Sequence, residues 1–153
     1  MTIQLATQVK NKQPVPNADG AMDLIPIFGD VVQVAAGMAT GDIFEVCPLP
    51  AGYVPVFVIF DHENLGTAYT AAVGLMSGNY GAGGARTCDA SLIAAATCQA
   101  AGVKTMNVGG AGRIAPTSND RSIGVVISGT LTTPVDGAKF RVTVLARPQI
   151  ESV

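Results

Sequence analysis

The clearest pattern along the chain lies near its C-terminal end. From Lys139 to Arg147 the residues alternate, with Phe140, Val142, Val144 and Ala146 on one side and Lys139, Arg141, Thr143, Leu145 and Arg147 on the other. A period of two marks a half-buried β-strand. A second apolar run, Tyr53 to Phe60, is β-branched or aromatic throughout except for Pro55. It reads as a strand whose first residues lie at an edge or a bulge, because proline cannot donate to a sheet ladder. Further strands are predicted over 31–36, 42–47, 69–76, 103–108 and 122–128. Residues 88–101, CDASLIAAATCQAA, are alanine-rich, with Asp89 or Ser91 as an N-cap and Gly102 as a stop. That combination predicts a short helix.

Turn chemistry separates these segments. Pro48-Leu49-Pro50-Ala51-Gly52, Asp61 to Gly66, Ala115 to Arg121 and Gly129 to Gly137 each carry the Gly, Pro, Asn or Asp that turns require. Ser77 to Arg86, SGNYGAGGAR, reads as a flexible glycine-rich loop, and Gly78–Arg86 within it as a distal one. About seven or eight short strands with such connections predict an all-β fold, an antiparallel two-sheet sandwich of jelly-roll or immunoglobulin-like type with a short helical insertion. The first thirty residues differ. Residues 1–20 are polar, with Pro14, Pro16 and the turn Asn17-Ala18-Asp19-Gly20, and are followed by Met22, Leu24, Ile25, Ile27 and Phe28 around Pro26. We read residues 1–30 as an extended N-terminal arm and residues 31–153 as the β-sandwich domain.

Composition sharpens this picture. The 153 residues suit one domain. Only 13% are charged, against about 25% in typical globular chains, while 48% are hydrophobic. The mean hydropathy is positive, yet the longest uncharged stretch, Asn64 to Ala85, is broken by Gly, Ser, Thr and Asn and cannot be a spanning helix. No membrane association is expected. Extensive burial against other protein chains accounts for the apolarity instead. The nine Lys and Arg are scattered and the net charge is −2, so the basic footprint of a nucleic-acid binder is missing. The N-terminus lacks the basic start and apolar core of a signal peptide, which predicts synthesis in a cytoplasm.

Candidate chemistry is sparse. The one imidazole, His62, sits in Asp61-His62-Glu63 and is expected to be a solvated loop residue, since no motif pairs it with a nucleophile. Cys47, Cys88 and Cys98 include no Cys-x-x-Cys pair. They are expected to be reduced and mostly buried, with a Cys88–Cys98 disulfide as the alternative. Asp61, Glu63 and Asn64 do not form a calcium loop, and neither glycine-rich stretch ends in the Gly-Lys-Ser/Thr of a phosphate loop. No catalytic residue, no metal and no cofactor are predicted, and the chain reads as a non-enzyme.

The arrangement of turns and strands resembles a known family. Gly41 to Gly52, with Leu49-Pro50-Ala51-Gly52 at its end, leads into the strand Tyr53–Phe60, the Asn64-Leu65-Gly66 loop and Ala72-Val73-Gly74-Leu75. Pro116–Arg121, Ser122-Ile123-Gly124-Val125 and a final Phe140–Val144 strand complete the pattern over residues 40–147. It is similar to tailed-bacteriophage capsid decoration (cement) proteins and related small head proteins. The resemblance implies a structural protein made in the host cytoplasm and carried on the capsid exterior. Its implied partners are the major capsid protein and its own copies, in a homodimer or homotrimer. A phage tail or fibre component that binds a host receptor or glycan is the alternative. The arm would supply much of the capsid or inter-subunit contact, and Gln4, Val9, Lys10, Lys12, Leu24, Ile25, Ile27 and Phe28 are its candidate contact residues.

Overall fold

The computed structural model describes the strand backbone of residues 3–5 and residues 24–35, 37–129 and 133–149. In chain order the strands are β1 (Ile3–Leu5), β2 (Ile25–Phe28), β3 (Val32–Gln33), β4 (Ile43–Leu49), β5 (Tyr53–His62), β6 (Gly66–Thr67), β7 (Thr70–Leu75), β8 (Ile93–Thr97), β9 (Gly102–Thr105), β10 (Arg121–Ser128), β11 (Thr133–Pro134) and β12 (Lys139–Pro148). One five-stranded sheet has the order β1-β4-β10-β7-β8; the other runs β2-β12-β5-β9, with β3 also pairing β12. A small ribbon joins β6 and β11. The two large sheets pack as the expected sandwich, antiparallel throughout except that β1 runs parallel to β4.

The alternation read from the sequence sets the layers. Phe140, Val142, Val144 and Ala146 of β12 are all buried in the core. They face Phe44, Val46, Val73, Ile123 and Val125 from the first sheet. The Phe140 ring bridges the layers, edge-on to Phe44 at 5.4 Å and to Phe60 at 5.6 Å. A register shift between Ile123 and Gly124 sets Cys47 and Glu45 opposite them, leaving Val46 as the extra residue on β4. Val46 and Cys47 therefore both join the core, as adjacent residues at a bulge can.

Three expectations are corrected. Residues 88–101 form no helix. Ile93–Thr97 is instead the edge strand β8, paired with β7, and the helical structure among the described residues is a single 3-10 turn, Ala111–Arg113. The cause is a tertiary contact that overrides alanine's helix propensity. Asp89 Oδ1 accepts the backbone N–H groups of Leu75 (2.9 Å) and Ser91 (3.0 Å), which fastens the segment across Gly74.

Of the strand expected over 31–36, the described residues form Val32–Gln33. The longer strand in this region is β2, through Pro26, which pairs with β12 on one side only. An edge position tolerates the missing N–H. Parts of the predicted arm thus pair with both sheets, through β1 and β2.

The Ser77–Arg86 loop does not project freely. Its end is drawn back onto the first sheet by Arg86, which is buried.

Candidate interaction surface

Two features could carry function: a buried polar cluster beneath the glycine-rich loop, and the outer face of the β2-β12-β5-β9 sheet. The cluster centres on Glu45, in the middle of β4, which is wholly buried. Arg86 Nη1 donates to Glu45 Oε1 at 2.6 Å, with the two side chains 4% and 0% exposed. The Ser122 hydroxyl and the Gly81 N–H (3.0 Å) donate to the same oxygen. Arg86 also reaches Ser77 O (2.6 Å) and Ser122 Oγ (3.0 Å). The arrangement ties the loop to β4 and β10. Glu45, Ser122 and Arg86 are all buried, and their bonds hold the loop against the sheet as a clamp.

The outer face of the other sheet is built by register. Leu145 on β12 stands between Pro26 on β2 and Phe57 on β5. Thr143 stands between Phe28 and Ile59, and Ile59 faces Thr105 on β9. A third row holds Arg141, Asp61 and Val103. A register shift between Leu145 and Ala146 sets Phe57 and Pro55 opposite them and leaves Val56 as an extra residue on β5. Val56 and Phe57 are both exposed in consequence. Phe28 is 57% exposed, Val103 58% and Phe57 38%, so large apolar side chains from three strands share one solvent-facing surface.

The candidate contact residues fall on different parts of this architecture. Gln4 lies on β1, opposite Phe44 of β4. Val9, Lys10 and Lys12 lie outside the described residues. Ile27 points into the core, Ile25 is half-buried against it, and Leu24 and Phe28 face solvent. Sequence reasoning sets Leu145 on the polar side of its strand but does not name it, Phe57 or Ile59 as a contact residue, because the partners across the sheet depend on register. The bulge expected near Pro55 is present, with Val56 as its extra residue.

His62 is not a solvated loop residue. It ends β5 opposite Phe140 and Gly102 and is buried, its Nδ1 donating to Glu63 O at 2.9 Å and its ring 5.1 Å from that of Phe60. The neighbouring polar side chains cap backbone: Glu63 Oε2 accepts the Lys139 N–H (2.8 Å) and Asn64 Oδ1 the Gly66 N–H (3.0 Å).

All three cysteines are free thiols, with Cys47 and Cys98 buried. Burial, reinforced by the Glu45 charge, pushes the Cys47 thiol up to about 12. Burial likewise raises Cys88 and Cys98 to about 11. The thiolate is the reactive form, so we expect the native protein to resist iodoacetamide at pH 8 and all three thiols to react once it is unfolded. The unfolded chain deprotonates from about pH 9 while the folded one retains its protons. Stability should therefore fall as pH rises from about 9 towards 11, a trend that urea titrations would measure.

No protein-family model and no curated protein matches the chain. Among solved structures it is similar to a chain in the capsid of Ralstonia phage GP4, with a TM-score of 0.88 and 30% identity, over 97% of this chain and 99% of that one. It is also similar to a chain in the cyanophage Pam1 capsid asymmetric unit, with a TM-score of 0.57 and 21% identity, over 90% of this chain and 96% of that one. The second likeness is one of fold.

Proposed function

We propose that this chain, which belongs to a family of phage capsid proteins, is a non-enzymatic cement or decoration protein that binds the outer surface of a capsid lattice and stabilises the head. One observation carries the reading: a correspondence with a phage capsid chain that runs almost end to end, at a TM-score of 0.88. The decoration role draws on the turn-and-strand pattern of residues 40–147. A surface poor in charge, with 13% charged residues in all, suits a subunit that buries much of itself against neighbours. Its partners are the major capsid protein and its own copies in a dimer or trimer, and the segment 1–30 supplies part of the contact.

Co-sedimentation with bare phage heads, titrated to saturation, tests this. Saturable binding at many equivalent sites per head is expected, together with greater resistance of the decorated heads to heat. Absence of binding would overturn the reading. Binding of only a few copies would move the chain to a tail or vertex position and favour the receptor or glycan alternative.

A further inference from the structure

We propose that the outer face of the β2-β12-β5-β9 sheet is the surface that docks on the capsid shell, and that its partner there is an apolar patch of the shell subunit bordered by carboxylates. This inference rests on the capsid-binding role proposed above and assigns that role to particular residues.

The first argument is the bulge. On a regular strand, neighbouring side chains point to opposite sides of the sheet. The shift between Leu145 and Ala146 instead leaves both Val56 and Phe57 exposed. Bulges recur where a side chain must be re-aimed. This one places a phenylalanine beside Leu145, within a cross-strand row whose other member is Pro26. Phe28 extends the apolar surface along the sheet edge.

Charge and area then select the partner. The outward positions of β12 include Lys139, Arg141 and Arg147, all exposed, and these are three of the nine Lys and Arg in a chain of net charge −2. Two acids accompany them, Asp61 opposite Arg141 and the exposed Glu63 beside Lys139, which leaves a small positive excess. A second copy would bring the same excess of positive charge, whereas a carboxylate-bordered partner complements it. Four strands at about 4.8 Å spacing and three rows of side chains give a face of roughly 300–400 Å². A stable free complex commonly buries about 800 Å² on each partner. The face is therefore too small to hold an isolated dimer together. It suits a contact made beside others on a lattice, where attachment elsewhere raises its effective concentration.

The full-length protein and a Phe28→Ser/Phe57→Ser variant should be titrated onto bare heads, with solution mass measured by light scattering. The double variant is expected to bind at least tenfold more weakly, with its solution mass unchanged. Arg147→Glu, an exposed substitution, is expected to weaken binding at low salt more than at high salt. It decides the matter should the double variant fail to fold. Val135→Ser, in the turn before β12, alters an exposed apolar residue outside the three rows and should bind like the parent. Undiminished binding by the folded variants would overturn this inference and leave the capsid-binding role standing. A lower solution mass for the phenylalanine variant would overturn it in favour of a second copy. No binding by the parent protein would overturn both.

Discussion

Replacing Arg86 with methionine is expected to destabilise the fold by about 3–5 kcal/mol, the usual cost of breaking a buried pair from one side. Glu45 is wholly buried, and Arg86 is the cation bonded to it, at 2.6 Å. Without the guanidinium the carboxylate is left charged in a dry interior, still accepting from Ser122 and Gly81 but no longer neutralised. The midpoint in urea should drop and the melting temperature should fall by on the order of 10 °C.

The partner substitution separates charge from shape. In Glu45→Leu/Arg86→Met both ions are gone, and the double variant should recover a large part of the loss, because well-packed apolar pairs often equal buried ion pairs. Recovery should stay incomplete, since the Ser122 hydroxyl and the Gly81 N–H lose their acceptor. A double-mutant cycle built on urea denaturation yields the coupling directly. Coupling near zero would show that the clamp is not what holds the loop.

This clamp also marks where sequence reading stops. The two-sheet architecture was legible because β12 alternates cleanly and β10 is a compact β-branched run; their observed limits lie within a residue of those expected. The Pro50–Gly52 turn was legible because Gly52 takes a positive φ of 75°, which favours glycine. Glu45 and Arg86 are 41 residues apart, and nothing local to either announces that they meet. In the sequence each looks like an ordinary surface charge.

The outer face was half legible. Phe28 is one of several apolar residues that the sequence offers between 21 and 30, and it is exposed. Its neighbours on the face are set by the pairing of β2 with β12 and of β12 with β5. A one-residue slip there would turn the whole outward set inward. Periodicity alone does not fix that register, and the bulge shifts it once more at Val56. His62 failed for the same reason: β5 runs two residues past Phe60, so a residue assigned to a loop alternates into the interior.

Gly74→Ala is expected to cost about 3 kcal/mol, the upper end of what overpacking costs, and it bears on the least legible segment of the chain. A Cβ at position 74 would lie 2.4 Å from Ala90 N and 2.5 Å from Asp89 Oδ1. The first of these is backbone and cannot swing away. Ala90 already has a positive φ of 52°, a conformation disfavoured for a residue with a side chain, so the segment has little freedom to retreat. Relief requires Asp89 to release the Leu75 N–H, which frees the alanine-rich stretch 91–97 from β7. The same alanines that failed to form a helix in the native fold would then lose the contact that made them a strand. Hydrogen exchange should show it, with protection lost first in β8 and along the β7 edge that pairs with it. Gly37→Ala is the control, since nothing lies within 4 Å of a Cβ there and the change should fall within about 0.5 kcal/mol of neutral. Equal effects at the two positions would mean that the 88–92 segment does not depend on its close approach to Gly74, and the account given for the missing helix would fail with it.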